Sequence, residues 1–594
     1  MSGDPTRLDQ KLATYREART ALPSQYWLWP LYGAGLENLG IKDRPIQVEM
    51  PSCGPDQLLV RHDAVGLCFS DTKVIKAGAS HPRLGGRDMR SNPVVLGHEV
   101  ALTVVQVGEA YAGQFKPGDR FLIQADVYYK GVGLAYGYAL QGGLSQYNLI
   151  GKEVLEGDEG CYLIPLQPTT GYAQAALTEP WACVLASYGV KYRTAWKPGG
   201  AVLIVAGPGA TGGYELGTPY ADGQPPATVV LAGVAGSLRD ALRAHAIASH
   251  FKLAELPSLS DANVAEALAA SGKDGFDDIV YLGADATLYE LGESMAAKGC
   301  MHNLVGAEAL SEPAQVDVGR LHYDHICLTG TDERVISAAY KPVRTELRPS
   351  GCAAFLGAAG PMGQMHFQRA LQSAQSPRLI VATDLVRERL DVLATKYEQL
   401  IEARYRAKGD AASVILRTPG DQAPDAFNAG LLETTGGAGF DDIVVLAPSA
   451  AVVAGAVEML APNGVMNIFA GLPRGTRAAI DLCAIVTKGI RFTGASGSSI
   501  HDLRVMLEKT ESGQLDPNLS VAAVSGFNDV KKGLDGVIHQ RFPGKVVIYP
   551  QLLDFPLTAL SDLENILPNV YAKLGSNHTW TVGAETEFLK EMLP

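Results

Sequence analysis

The sequence predicts an α/β protein made of one β-rich unit and two tandem, doubly wound parallel-sheet units. Three observations carry this. Gly275-Phe276-Asp277-Asp278-Ile279-Val280 recurs as Gly439-Phe440-Asp441-Asp442-Ile443-Val444, 164 positions later, and an exact repeat of six residues marks related domains in tandem. Upstream of each copy an apolar run ends in glycines, at 201–212 and 353–363, the pattern of a buried strand entering a glycine turn. Short β-rich runs (228–232, 278–282, 378–383, 442–446) alternate with Ala/Leu/Glu-rich stretches of helical length, as βαβ units do.

In chain order, residues 1–45 read as an appendage anchored by Trp27 and Trp29. Residues 46–165 hold β-rich runs at 57–62, 94–107 and 120–124, with Lys116-Pro117-Gly118-Asp119-Arg120 as a turn, which suits a barrel-like unit. The first domain is therefore placed at 1–195, copy one at 196–348 and copy two at 349–505. Flanking matches support the tandem: 301–306 parallels 466–471, and Thr329-Gly330 parallels Thr493-Gly494. The β-like run 544–549 is too short to stand alone, so 506–594 is expected to return to the first domain.

With 594 residues, 47% of them hydrophobic and a mean hydropathy of +0.05, the chain has ample apolar surface for several cores, which excludes a disordered or fibrous protein. A formal charge of -13 repels phosphate backbones and argues against nucleic-acid or anionic-membrane partners. The eight cysteines form no CxxC pair, so neither a disulfide framework nor a four-cysteine zinc lobe is indicated. No apolar h-region or bilayer-length run is present, and a cytoplasmic location is expected.

Cys68 and the adjacent His98-Glu99 supply thiolate, imidazole and carboxylate, the mixed set of an open zinc site, and Glu179 offers a further oxygen. Each also has a plain explanation: Cys68 as a core cysteine, Gly97-His98-Glu99 as a turn.

Gly66-Leu67-Cys68-Phe69-Ser70-Asp71, Gly97-His98-Glu99, Val107-Gly108, 116–120 and Glu179-Pro180 occur in the order and spacing of zinc-type medium-chain alcohol and polyol dehydrogenases, and the chain resembles that superfamily. Within it the L-sorbose 1-phosphate reductase branch is most similar, through Leu177-Thr178-Glu179-Pro180, the 136–143 loop, His322-Tyr323, 494–497 and 556–560. The resemblance covers residues 46–565 if one nucleotide unit is extra. It implies a GroES-like catalytic domain joined to Rossmann-type domains. It further implies one catalytic Zn2+ held by Cys68, His98 and Glu99, with Glu179 completing the shell or holding the metal-bound water. Ser70 would pass the hydroxyl proton and Asp71 would orient the ligand histidine. The superfamily's four-cysteine lobe is replaced here by the loop 126–143. Where many relatives have a relay histidine stands Lys73, which would shuttle a proton, attract a substrate phosphate, or simply be solvated. A homo-oligomer is implied as well.

The glycine turns decide which copy holds the cofactor. Copy two offers Gly357, Gly360, Pro361, Met362 and Gly363, an uninterrupted helical stretch, and a strand ending at Asp384. A carboxylate there accepts both ribose hydroxyls and repels a 2′-phosphate, which favours NAD. Gly471, Gly494 and Ser496 complete the expected cofactor-binding set. Copy one has the closer glycine motif, 207–212, but Gly217 and Pro219 interrupt its helix and Gly233 stands where the acid should be. It reads as a degenerate duplicate, although it retains His322-Tyr323, so the working site could combine both copies. His322 and His325 read most simply as hydrogen-bonded histidines on a strand edge.

The leading expectation is a zinc- and NAD-dependent dehydrogenase interconverting a secondary alcohol and ketone of a polyol, sugar or sugar phosphate. One alternative is a lyase or epimerase that retains NAD for transient oxidation of a carbinol. The other is a non-catalytic nucleotide-binding scaffold.

Overall fold

The computed structural model describes residues 5–594 apart from 284, 307–311, 375, 406–412 and 421. Strand Leu58–Gly66, buried along its whole length, sits at the centre of an eight-stranded, mostly antiparallel sheet. Glu99–Val107 flanks it on one side and Lys545–Tyr549 on the other. Lys545–Tyr549 in turn pairs with Val521–Gly526, so strands from the two ends of the chain share one sheet. The N-terminal segment is woven in too: Gln25–Leu28 pairs with Ile46–Glu49, and fully buried Trp29 donates its Nε1 to the Phe527 carbonyl at 2.8 Å. Trp27 is only half-buried.

The expected single strand over 94–107 is broken. Val94–Val95 pairs with Pro30–Leu31, residues 96–98 leave the ladder, and Glu99–Val107 resumes it. Gly97 makes the break at φ +95°, and a Cβ there would lie 2.9 Å from the Leu144 nitrogen; only glycine suits both demands. The consequence is functional, because His98 and Glu99 are thereby set at the mouth of the strand.

Each nucleotide-type unit is a six-stranded parallel sheet. Copy one runs, in spatial order, Lys252–Leu256, Thr228–Ala232, Ala201–Ala206, Phe276–Leu282, Ala296–Val305, Cys327–Thr331. Copy two runs Ser413–Arg417, Leu379–Thr383, Cys352–Leu356, Phe440–Val445, Leu460–Ile468, Arg491–Thr493. In each unit's own numbering this is the doubly wound order 3-2-1-4-5-6.

The repeated hexapeptide turns out to be a tether. Asp277 accepts the Ala201 amide at 3.0 Å and Asp278 the Lys197 amide at 3.1 Å. Asp441 accepts the Cys352 amide at 2.9 Å and Asp442 the Arg348 amide at 2.7 Å. In both units the two carboxylates thus hold the first strand and the segment leading into it. Strand register corrects the flanking match: Asp278 pairs with Met301 and Asp442 with Val465, so Met301 corresponds to Val465 and not to Met466.

The units diverge just after their first strands. Copy two continues into helix Pro361–Gln372, whereas residues 207–227 of copy one contain no helix. There Tyr214 and Leu216 are buried and Glu215 bridges to Val335, so an extended segment covers the face the helix would have covered. His322 does not lie on a strand edge as expected. It is buried near the end of the short helix Val318–Tyr323, with His325 at φ +52° in the turn that follows. Among the described residues no helix is long and apolar enough to cross a membrane.

Candidate metal and dinucleotide site

Cys68 ends the central strand's run and is the N-cap of helix Phe69–Ala77. Asp71, fully buried, closes the cap: one carboxylate oxygen accepts the Cys68 amide at 3.0 Å, and the other lies 3.2 Å from His98 Nδ1. The same carboxylate therefore fixes the cysteine's backbone and the histidine's ring, leaving Nε2 to face the site. Ser70 Oγ donates to Cys68 Sγ at 2.9 Å and lies 3.2 Å from His98 Nε2.

Glu99 accepts from Lys545 Nζ at 2.5 Å through Oε1, while its buried Oε2 has no partner among the described residues. Among the described residues, Cys68, His98 and Glu99 form a trio whose donor atoms all lie within 4.8 Å of one another. A sulfur, an imidazole nitrogen and an orphaned carboxylate oxygen at that spacing fit a zinc ion. Glu179 lies outside the trio, on helix Tyr172–Tyr188. Burial pushes its carboxyl up to about 7, against the pull of His98 and with the push of Glu99. That helix is held at its start by Glu585, which accepts the Tyr172 and Ala173 amides at 2.6 and 2.7 Å.

The glycine turn of copy two has the geometry of a dinucleotide cradle. Gly357 sits at φ +90°, Gly360 faces open space, and a Cβ on Gly363 would meet the Ala358 carbonyl oxygen at 2.5 Å. Pro361 opens the helix, followed by Met362, so free backbone amides at a helix N-terminus face the turn. Asp384 follows strand Leu379–Thr383 and accepts the Ala359 amide at 3.2 Å and the Val386 amide at 3.1 Å. Gly357, Gly360 to Gly363 and Asp384 are thus gathered at one edge of the sheet.

The other three expected cofactor residues lie apart from that turn. Gly471 stands beyond strand Leu460–Ile468, where a Cβ would be 3.0 Å from the Tyr323 hydroxyl and 3.2 Å from Lys73 Nζ. Gly494 is buried, its Cα turned to the Leu321 carbonyl and the His322 backbone of copy one. Ser496 lines a cavity of about 570 Å³ with Gln124, Asp126, Tyr192, Arg193 and His325.

Lys73 links the two halves of the site: it extends from the metal-site helix and donates to the Tyr323 hydroxyl at 3.2 Å. Three neighbours were not foreseen as site residues. Lys545 anchors Glu99, Tyr138 packs its ring 5.6 Å from the His98 ring, and Tyr323 meets Lys73. The tail run containing Lys545 was expected to return to the first domain, but nothing in it singled out Glu99, while Tyr138 and Tyr323 stood in sequence only as parts of family-like motifs.

Parts of the chain are similar to known proteins. The alcohol dehydrogenase GroES-like domain family matches residues 54–156. Mannitol-1-phosphate 5-dehydrogenase of Aliivibrio fischeri is 28% identical over 317 residues, covering 49% of this chain and 72% of that protein. L-sorbose 1-phosphate reductase of Klebsiella pneumoniae is 27% identical over 296 residues, covering 48% and 70%. Of solved structures, 2R,3R-butanediol dehydrogenase from Bacillus subtilis aligns with a TM-score of 0.49 at 16% identity, over 88% of this chain and 99% of that one. Residues 54–156 are thus similar to the alcohol dehydrogenase GroES-like domain, and the chain is similar over about half its length to sugar-phosphate dehydrogenases.

Proposed function

We propose that this protein is a zinc-dependent, NAD-linked dehydrogenase that interconverts a secondary alcohol of a polyol, sugar or sugar phosphate with its ketone. The observation that carries the reading is the Cys68–His98–Glu99 trio with its unpartnered Glu99 oxygen, joined through Lys73 to the edge of the copy-two sheet. When bound, zinc would polarise the substrate oxygen and nicotinamide would carry the hydride.

The chain's own residues do the rest. Asp71 holds His98 in the ring orientation a metal needs, and Lys545 holds Glu99. Ser70, within hydrogen-bond reach of both Cys68 and His98, takes the hydroxyl proton. Glu179, on the neighbouring helix, completes the metal shell or holds its water. Gly357, Gly360, Pro361, Met362 and Gly363 cradle the pyrophosphate, and Asp384 selects NAD over NADP through its ribose contact. Gly471, Gly494 and Ser496 border the nicotinamide half. In this reading segment 506–594 completes the catalytic domain 1–195, copy two (349–505) binds the cofactor, and copy one (196–348) is structural. The similarity to sugar-phosphate enzymes supports a polyol phosphate as the first substrate to try.

The test is metal and nucleotide analysis of purified protein, followed by a polyol screen with free NAD. About one zinc per chain, NADH released with turnover, and loss of turnover without unfolding in Cys68→Ser are expected. Absence of zinc would overturn the reading. Stoichiometric NAD that survives dialysis, with no net NADH release, would favour a lyase or epimerase instead.

A further inference from the structure

The two copies do more than follow one another in the chain. Strand Ala314–Asp317 of copy one pairs antiparallel with strand Arg477–Ile480 of copy two. At the centre of this ladder Gln315 faces Ala479, and these residues stand 164 positions apart, the repeat distance fixed by strand register in both sheets. Each is therefore the other's counterpart. Ala314 faces Ile480 and, on the other side of the centre, Val316 faces Ala478, which is the same pair with the copies exchanged. Equivalent strands crossing at equivalent residues define a two-fold, self-complementary interface of the kind that joins identical subunits.

The surfaces flanking the ladder are buried as a dimer interface would be. Val316, Val318, Leu321 and Leu328 of copy one share one continuous apolar core with Leu472, Ala478, Ile480, Ile485 and Phe492 of copy two. Polar groups close its rim: Gly475 donates its amide to Asp317 at 2.8 Å, and Asp324 is gripped by Arg320 and Arg474 together. The arrangement carries helix Val318–Tyr323 of copy one onto the edge of copy two, where His322 Nδ1 lies 3.2 Å from the Ile468 carbonyl. Tyr323 lands beside Gly471, takes the hydrogen bond of Lys73, and is covered by Arg474 at 5.1 Å from its ring. The exchange is one-sided, since the copy-two counterparts of His322 and Tyr323 are Val486 and Thr487.

We infer that copy one is a built-in second subunit: it occupies copy two as the partner of a two-fold dimer would, and lends it Tyr323 as a positioning residue for Lys73. Any further copy of the chain must then bind through other faces. The arrangement of the copies is independent of the activity assigned above, whereas the role of Lys73 in turnover rests on that reading.

Gln315 and Ala479 are both exposed, so the double variant Gln315→Cys/Ala479→Cys tests the arrangement with a short bismaleimide. Cross-linking is expected to join the 315 and 479 peptides within a single chain, adding the mass of one linker, and neither single variant should give that pair of peptides. A covalent dimer, or no cross-link at all, would overturn the built-in partner whatever the enzyme does. Tyr323→Phe tests the positioning role in two ways. Labelling of Lys73 by an amine-directed reagent should rise several-fold, a readout that needs no turnover. In addition kcat/KM for the polyol should fall about tenfold with NAD affinity unchanged, and Lys73→Ala/Tyr323→Phe should be no worse than Lys73→Ala alone. Unaltered Lys73 labelling, or additive losses in the double variant, would overturn that role. Absence of polyol turnover in the wild-type protein would sink the proposed activity and leave the cross-link and labelling results to decide this inference.

Discussion

Copy one and copy two share strand order, a register shift at the same hexapeptide and the same acid tethers, yet only copy two has the helix and the acid that a dinucleotide needs. What they share is buried in the sheet: completely covered strands such as Thr228–Ala232 and Leu379–Thr383, and carboxylates that hold backbone amides. What differs lies at the carboxyl ends of the strands, where ligands bind in such folds. A duplicated sheet is thus free to lose its ligand edge while its core stays under the same packing constraint. In the proposed reading copy one keeps its place through the interface it makes, and not through a nucleotide of its own.

The comparison is broken most severely at the glycine turns. A methyl group on Gly363 would sit 2.5 Å from the Ala358 carbonyl oxygen, whereas one on Gly209, in the copy-one turn, would meet nothing within 4 Å. Overpacking of this kind costs about 1–3 kcal/mol, so Gly363→Ala should weaken NAD binding about thirtyfold. Gly209→Ala should leave it unchanged. Fluorescence titration with NADH measures both; equal effects would remove the contrast between the copies, and a larger effect of Gly209→Ala would show that they had been assigned the wrong way round.

A smaller effect sharpens the same contrast. Asp384→Ala removes the carboxylate at the end of the second copy-two strand, and the preference for NAD over NADP should fall about tenfold, the worth of one charge-assisted contact. Placing an acid at the corresponding end in copy one, with Gly233→Asp, should create no second site, because residues 207–227 supply no helix N-terminus. Equilibrium dialysis counting bound NAD per chain distinguishes the outcomes.

Much of this was legible in sequence because it is local. The glycine turn and the interruption at Gly217 and Pro219 are short-range facts, and Cys68, His98 and Glu99 sit within a few residues of the turns that aim them. The break at Gly97 was not legible, since it depends on the approach of Leu144 from a distant loop. Nor was Lys545, whose 446-residue separation from Glu99 is bridged only when the tail strand joins the first sheet. Tyr323 was seen as part of a motif but not as a partner of Lys73, because that contact exists only through the two-fold packing of the copies. The match of Met301 to Met466 failed for a related reason: identity of side chains misled where strand register was decisive.

The smallest effect concerns what stands behind the copy-two helix, an element copy one lacks. Lys396 is largely withdrawn from water and donates to the neutral Gln364 Oε1 at 3.0 Å, on that helix. Burial lowers its ammonium pKa from the usual 10.5 to about 7. Lys545, a more deeply buried lysine, has the Glu99 carboxylate beside it and moves the other way despite its burial. The sign of the consequence follows from proton counting. Between pH 7 and 10.5 the unfolded chain holds a proton that the folded chain has released, so stability rises with pH across that window. Below pH 7 the fold bears the full cost of a buried charge. Lys396→Met should therefore stabilise the protein by about 1–2 kcal/mol at pH 6.5, a figure reduced for the partial exposure of the amine, with the gain shrinking toward pH 10. Urea unfolding of wild type and variant at the two pH values measures it. A gain independent of pH would mean that the methionine merely packs better, and that the charge of Lys396 costs the copy-two scaffold nothing.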